Sequence, residues 1–331
     1  MTGAGGGNEA LLVIRDLRVS FRTPDGTVEA VRGIDLDLAP GEVLGIVGES
    51  GSGKSVAMLA VLGLLPRNAT VSGSARFRDR ELIGMSGREL RAVRGAGIGM
   101  VFQDPLTALN PVHRVGRQIA EAIRAHRRDL PKARAEARSV ELLDAVGIPD
   151  PARRARAFPH ELSGGMRQRV MIAMMIANEP AVLVADEPTT ALDVTVQAQI
   201  LDLLDEIRIR SGTAIVFITH DLGVIARIAD RVQVLYAGRT AEVAPTGALF
   251  AGPEHPYTAG LLGAVPGVGR LRPDGIPGSP PSMLTPPNGC GFHLRCSRAD
   301  ARCASAQPPL VASGPGRARA CFLPLGPDGP S

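Results

Sequence analysis

The sequence predicts an α/β fold built on a mostly parallel sheet, and three observations carry that prediction. An apolar run, a glycine-rich loop and an apolar helical stretch follow one another in "VLGIVGESGSGKSVAMLAVLGLL". Two more short β-branched runs, "AVLVADEP" and "TAIVFITHD", have the composition of strands buried in a parallel sheet. Between the loop and the first of these runs, the chain from about 105 to 162 is rich in Arg, Ala, Leu and Glu at helical spacing, as an inserted helical subdomain would be.

Ahead of the loop, "LLVIRDLRVSF" alternates apolar and polar residues and reads as a strand, and "TPDG" reads as a turn. "VEAVRGIDLDLAPGE" is a second strand ending in a Pro-Gly turn, which gives an N-terminal antiparallel β part. "VMIAMMIAN" places its methionines in a buried helix, where they fill core space. "VQVLYAGRTAEVA" reads as a late hairpin. After Gly252, Pro and Gly become frequent and periodicity ends. The expected organisation is a main domain over 9–252 and a Pro/Gly-rich extension over 253–331.

The totals bound the class. Of 331 residues, 44% are apolar, 3% are aromatic and none is Trp, so the core must be aliphatic. A net charge of +4, spread along the chain, suits work near anionic lipid and gives little reason to expect a nucleic acid partner. No apolar run approaches the roughly 18–20 residues of a membrane span. "MTGAGGGNEA" lacks the basic and apolar regions of a secretory signal. A cytosolic chain is expected, where structural disulfides are rare.

"GESGSGKS", Gly48 to Ser55, fits G-x-x-x-x-G-K-[ST] and lies between a strand and a helix. Gly48, Ser50, Gly51 and Gly53 let the backbone curl so that N–H groups, with those of Ser55 and Val56, face phosphate. Lys54 is placed for the β- and γ-phosphates and Ser55 for Mg²⁺. Lys54 and Lys132 are the only lysines in a chain whose other basic residues are Arg, which makes the retained Lys54 more telling. "AVLVADE" delivers Asp186 and Glu187 to a strand's C-terminal edge, where open α/β sheets bind ligands. Asp186 suits Mg²⁺, and Glu187 suits polarising a water for attack on the γ-phosphate. Alone, that acidic pair would more often mark a solvated turn; paired with the earlier loop it becomes a strong signal. "LSGGMRQRV" places Ser163, Gly164 and Gly165 at a helix start, a second nest of N–H groups. It is either a plain cap and turn or a site for a nucleotide held by a second chain.

With these motifs the sequence resembles the ATP-binding subunits of ABC transporters, from Leu11 to Cys321. "LSGGM", with Met166 in its last position, resembles the family signature. Gln103 in "MVFQDP" matches the Q-loop, Asp193 in "TTALD" the D-loop, and His220 in "FITHD" the switch histidine. Phe21 stands where the family places an aromatic against adenine. The resemblance implies a P-loop NTPase with a RecA-like core, and an ATPase (ATP and water to ADP and phosphate) whose catalytic residues are Glu187, His220, Gln103 and Lys54. It implies Mg²⁺ at Ser55, Gln103 and Asp186. "FQDPLTALNP", "LDVTVQAQIL", "HPYTAGLL" and "IPGSPP" resemble the oligopeptide and dipeptide importers; nickel or glutathione import is the alternative within the branch, and a soluble ATPase the alternative outside it. Expected partners are a second, related ATPase chain, two membrane permeases and, through them, an extracytoplasmic substrate-binding protein. The expected place is the cytoplasmic face of the membrane.

All four cysteines, Cys290, Cys296, Cys303 and Cys321, fall in the extension. Clustered thiols in the cytosol more often hold metal than form disulfides. No C-x2-C knuckle is present, which fits an ordinary zinc finger poorly. Four thiolates suit zinc or an iron–sulfur cluster. "GCGFHLRCSRADARC" resembles the tail motif of the peptide-importer branch, which implies a 4Fe–4S cluster, with zinc as the alternative. The tail is otherwise poor in core-forming residues, so its cysteines are expected to staple it.

Overall fold

The alternating opening forms the antiparallel strands Leu12–Thr23 and Gly26–Leu38 in the computed structural model of the chain, which describes residues 10–190, 192–264 and 275–326. Strand Ala69–Phe77 pairs on the other side of the first. Leu12, Ile14, Leu17 and Val19 are all buried although their spacing changes parity. A bulge after Ile14, with Asp16 at φ +44°, absorbs the extra residue and keeps both pairs on the core side.

The described chain divides into two compact units: Ser86–Val216, and Ala10–Met85 together with the chain from Phe217 onward. In the first unit, Ile98–Val101 and Val182–Asp186 run parallel, and every residue of both is buried. This is the continuous apolar pattern of a strand covered on both faces. The helices Val115–His126 and Lys132–Ala145 follow the predicted helical stretch and bury Ile119, Ile123, Leu142 and Leu143. Gly116 lets this layer close, since a Cβ there would lie 2.8 Å from the Ala155 Cβ. Of the methionines expected to fill the core, helix Gly164–Ile176 buries Met171, while Met174 and Met175 are half-buried.

In the second unit, the fully buried strand Val43–Val47 runs parallel to Arg231–Tyr236. The predicted late hairpin is Arg231–Tyr236 with Arg239–Pro245. The tail adds two strands that the sequence did not suggest. Arg317–Arg319 pairs with Arg239–Pro245 and then with Val311–Gly314. The fully buried Glu242 accepts the Glu254 and His255 N–H groups, both at 2.9 Å, and pairs with Arg317 at 3.4 Å. Phe292 packs against Tyr236 and Tyr257, with ring centroids 5.3 and 5.4 Å away. The tail therefore folds around ladder bonds, buried charge and an aromatic cluster, not chiefly around its thiols.

His255 caps the helix Pro256–Gly263, its Nδ1 accepting the Tyr257 N–H at 3.0 Å. Burial drives its pKa down to about 4, against a smaller upward pull from the Ala320 backbone. A folded-state pKa below the unfolded one means that the unfolded chain takes the proton first as pH falls. Stability is therefore expected to drop between about pH 6.5 and 4, by up to about 3 kcal/mol. Urea midpoints across that window check this, and a His255→Asn variant should flatten the slope. Equal slopes in the two proteins would show that the loss comes from other groups.

Candidate nucleotide-binding site

The second unit holds the glycine-rich loop Gly48 to Ser55. It leaves the buried strand Val43–Val47 and enters helix Lys54–Val61, with Gly53 as N-cap at φ +97°. Gly48 and Gly51 also have positive φ, at +155° and +77°. No Cβ fits at Gly48 or Gly53, where it would lie 2.2 Å from the Leu235 carbonyl oxygen and 2.5 Å from that of Ala30. Ser50 and Gly51 are exposed at the tip, and Ser55 and Val56 are half-buried in the first helical turn. Lys54 is buried and its Nζ donates to the Gly48 and Glu49 carbonyls at 2.7 and 2.9 Å. A glycine curl, a helix N-terminus and one buried ammonium are what a polyphosphate needs.

Phe21 and His220 belong to the same unit. Phe21 lies half-buried in strand Leu12–Thr23, opposite Val28 and Ala69. His220 stands exposed after strand Ala214–Thr219, just before Asp221 caps helix Leu222–Ile228 through the Gly223 and Val224 N–H groups.

The first unit holds the acidic pair. Asp186 is buried at the end of Val182–Asp186, and Glu187 follows with φ +46°. That left-handed backbone is uncommon for a non-glycine residue and turns the chain sharply off the strand. The Gln103 Nε2 and the Thr190 hydroxyl both donate to Glu187 Oε2, at 3.0 and 2.9 Å. The structure thus brings together Gln103 and Glu187, 84 positions apart, and adds Thr190, to which the sequence gave no role. Ser163 caps helix Gly164–Ile176 by accepting the Met166 N–H at 3.3 Å. Asp193 caps helix Val194–Ser211 by accepting from Val196 at 2.9 Å. These two helix starts touch, since a Cβ on Gly165 would lie 2.7 Å from Val196.

The four cysteines line one small apolar cavity of about 20 Å³, and none forms a disulfide. Burial is the main force raising the pKa of Cys290, Cys296 and Cys321, the last to about 11, and the neighbouring thiols add to it. Free space of that size holds about one water. Among the described residues, no three His, Cys, Asp or Glu side chains converge closely enough to hold a metal ion. The expected 4Fe–4S or zinc site is therefore not supported as the side chains stand. His293 uses its Nδ1 within the segment, 2.7 Å from the Cys290 carbonyl.

The chain is similar to known proteins over most of its length. A family model described as "ABC transporter" matches residues 31–190, and one described as "Oligopeptide/dipeptide transporter, C-terminal region" matches 241–303. The oligopeptide transport ATP-binding protein OppD of Salmonella typhimurium is 53% identical over 320 residues, 95% of this chain and 94% of its own. The dipeptide transport ATP-binding protein DppD of Bacillus subtilis is 50% identical over 87% of each chain. Among solved structures, the ATP-binding cassette MJ0796 in a dimeric post-hydrolysis state with ADP and Pi matches with a TM-score of 0.64 at 28% identity. That match covers 71% of this chain and 98% of the cassette.

Proposed function

The chain belongs to the family of ABC transporter ATP-binding proteins, and within it we propose that it is the ATP-hydrolysing subunit that powers import of oligopeptides or dipeptides. The observation that carries the peptide assignment is the match over 241–303, outside the phosphate-binding motifs, to the C-terminal region of oligopeptide and dipeptide transporters. A soluble ATPase of the same superfamily has no need of that region.

Each proposed role follows from local chemistry. Lys54 and the curled backbone of Gly48 to Val56 bind the phosphates, and Phe21 stacks on the base. Ser55, Gln103 and Asp186 are oxygen donors of the kind Mg²⁺ takes, and Mg²⁺ would neutralise charge on the β- and γ-phosphates. Glu187, oriented by Gln103 and Thr190, polarises the attacking water. His220 donates to the γ-phosphate. Ser163, Gly164, Gly165 and Met166 face a nucleotide held by a second ATPase chain, a related but different one, and Asp193 lies in the same contact. Residues 9–252 form the ATP-binding domain and 253–331 its extension.

Membrane permeases are the partners that a transport ATPase of this family serves. No helix among the described residues is long and apolar enough to cross a membrane. We place the chain peripherally at the cytoplasmic face, on two permease subunits fed by a substrate-binding protein. The exposed Leu106 and Val112, which follow Gln103 in the chain, support a contact there. The finer reading of the tail, a 4Fe–4S cluster or zinc on Cys290, Cys296, Cys303 and Cys321, rests on donor chemistry alone.

One preparation tests these readings: the complex purified without oxygen and placed in vesicles. Peptide is expected to stimulate ATP hydrolysis and to enter the vesicles. Stimulation by nickel or glutathione instead would move the substrate, and activity indifferent to permeases would favour the soluble ATPase. Iron and sulfide near about four each per chain would establish the cluster. About one zinc would establish the alternative, and metal-free reactive thiols would remove both.

A further inference from the structure

We propose that Arg295, carried by the cysteine segment, is a positioning residue of the phosphate loop: it holds Glu49 and cancels the negative charge that this loop residue would otherwise present to ATP. The inference rests on the reading of Gly48 to Ser55 as the ATP site. Glu49 is the only acidic residue in a loop that otherwise offers N–H groups and one ammonium to an anion. A carboxylate in such a loop opposes the ligand unless a cation is fixed on it.

Arg295 is that cation. Its Nη1 donates to Glu49 Oε2 at 2.6 Å and its Nη2 to Oε1 at 3.0 Å, a fork-on-fork pair. The same Nη1 donates to the Tyr236 hydroxyl at 3.1 Å, Nη2 to the Ile276 carbonyl at 3.2 Å, and Nε to the Pro277 carbonyl at 2.8 Å. A guanidinium has five N–H groups, and these bonds use all of them. The side chain is only 6% exposed, and its guanidinium lies within 6 Å of the Tyr236 and Phe292 ring centres, at 5.8 and 5.9 Å. Five hydrogen bonds and two neighbouring rings thus hold the guanidinium in place.

Glu49 is held at every polar group it has. Its N–H donates to the Tyr257 hydroxyl at 2.9 Å, its carbonyl accepts from Lys54 at 2.9 Å, and its carboxylate is gripped by Arg295. Two of these three grips come from residues more than 200 positions downstream. Both tyrosines of the chain, Tyr236 and Tyr257, take part, with ring centres 4.5 Å apart. The extension thus acts on nucleotide affinity through one loop residue, without touching the nucleotide.

The test is the Kd of MgATP for the full-length chain at fixed ionic strength. Arg295→Met should weaken binding about tenfold or more, because it leaves an uncancelled carboxylate beside the phosphates. Arg295→Lys, which keeps charge but not the fork, should fall between. The Glu49→Gln/Arg295→Met double variant should recover most of the loss, since the opposing charge is gone. A merely structural role predicts no such recovery. Binding by Arg295→Met within about twofold of wild type, or a double variant as weak as Arg295→Met alone, overturns the proposal. If Arg295→Met does not fold, Arg295→Lys and the double variant decide, and a double variant that also fails to fold makes Arg295 a fold residue only. A wild-type chain that binds no MgATP overturns the ATP-site reading itself, and the inference with it.

Discussion

Glu187→Gln is expected to cut ATP hydrolysis by at least about 10²-fold while MgATP still binds, because the substitution removes a proton acceptor and little else. The carboxylate sits on a residue with φ +46°, at the end of a strand whose five residues are all buried. Gln103 and Thr190 both donate to its Oε2, at 3.0 and 2.9 Å, which fixes the side chain's direction. A glutamine can turn its amide oxygen to the same two donors, so shape and contacts survive. What it cannot do is take a proton from water. General-base catalysis contributes roughly 10²–10⁴-fold, and that is the loss to look for. Single-turnover phosphate release, measured beside nucleotide binding, separates the two steps. Hydrolysis within about fivefold of wild type would remove Glu187 as the base. A loss of binding as large as the loss of rate would make it a structural residue.

The parts that the sequence made legible share a property: their signal is local. "VLGIV" followed by "GESGSGKS" shows a buried strand turning into a helix within about twenty residues, and the structure repeats that order. The apolar runs before Asp186 and His220 are buried strands for the same reason. The bulge at Asp16 was not legible, because alternation predicts a strand but does not say where its parity slips. The tail strands Val311–Gly314 and Arg317–Arg319 have three or four residues each, and the second is "RAR". Neither has an apolar period, since the second is specified by Glu242 and Glu254 waiting on its arginines.

Thr190 and Arg295 escaped for a related reason. Thr190 lies inside "TTALD", where Asp193 alone drew a role, and its own part appears only when its hydroxyl meets Glu187. Arg295 is one arginine among many, 246 positions from its partner. Two signals were available: an acidic residue inside an anion-binding loop, and the chain's only tyrosines lying in its last hundred residues. The cysteines were the opposite case. Their spacing drew attention to metal, while the packing of the segment is carried by Phe292, Tyr236 and Tyr257.

Gly48→Ala is expected to abolish measurable nucleotide binding, a loss of about 10²-fold or more, where Gly51→Asn in the same loop is tolerated. Both glycines have positive φ, and the backbone separates them only in part: +77° is the left-handed region that asparagine also adopts, while +155° is glycine territory. Their surroundings complete the separation. A Cβ on Gly48 would lie 2.2 Å from the Leu235 carbonyl oxygen and 2.8 Å from the Ser52 hydroxyl, whereas at Gly51 nothing lies within 4 Å. Leu235 cannot retreat, because its strand is fixed by a parallel ladder to Val43–Val47 and an antiparallel one to Arg239–Pro245. The loop must move instead, and with it the N–H groups that cradle phosphate. A displacement of about 1 Å in a positioning element can cost on the order of 10²-fold. Overpacking of this kind also costs about 1–3 kcal/mol of stability, so thermal unfolding should be followed alongside binding. At Gly51 the left-handed backbone suits asparagine and its side chain points into open space. If Gly48→Ala bound MgATP like wild type, the close approach of the loop to Leu235 would not be what shapes the phosphate cradle. If Gly51→Asn failed as badly, positive φ alone, rather than the lack of room, would govern the loop.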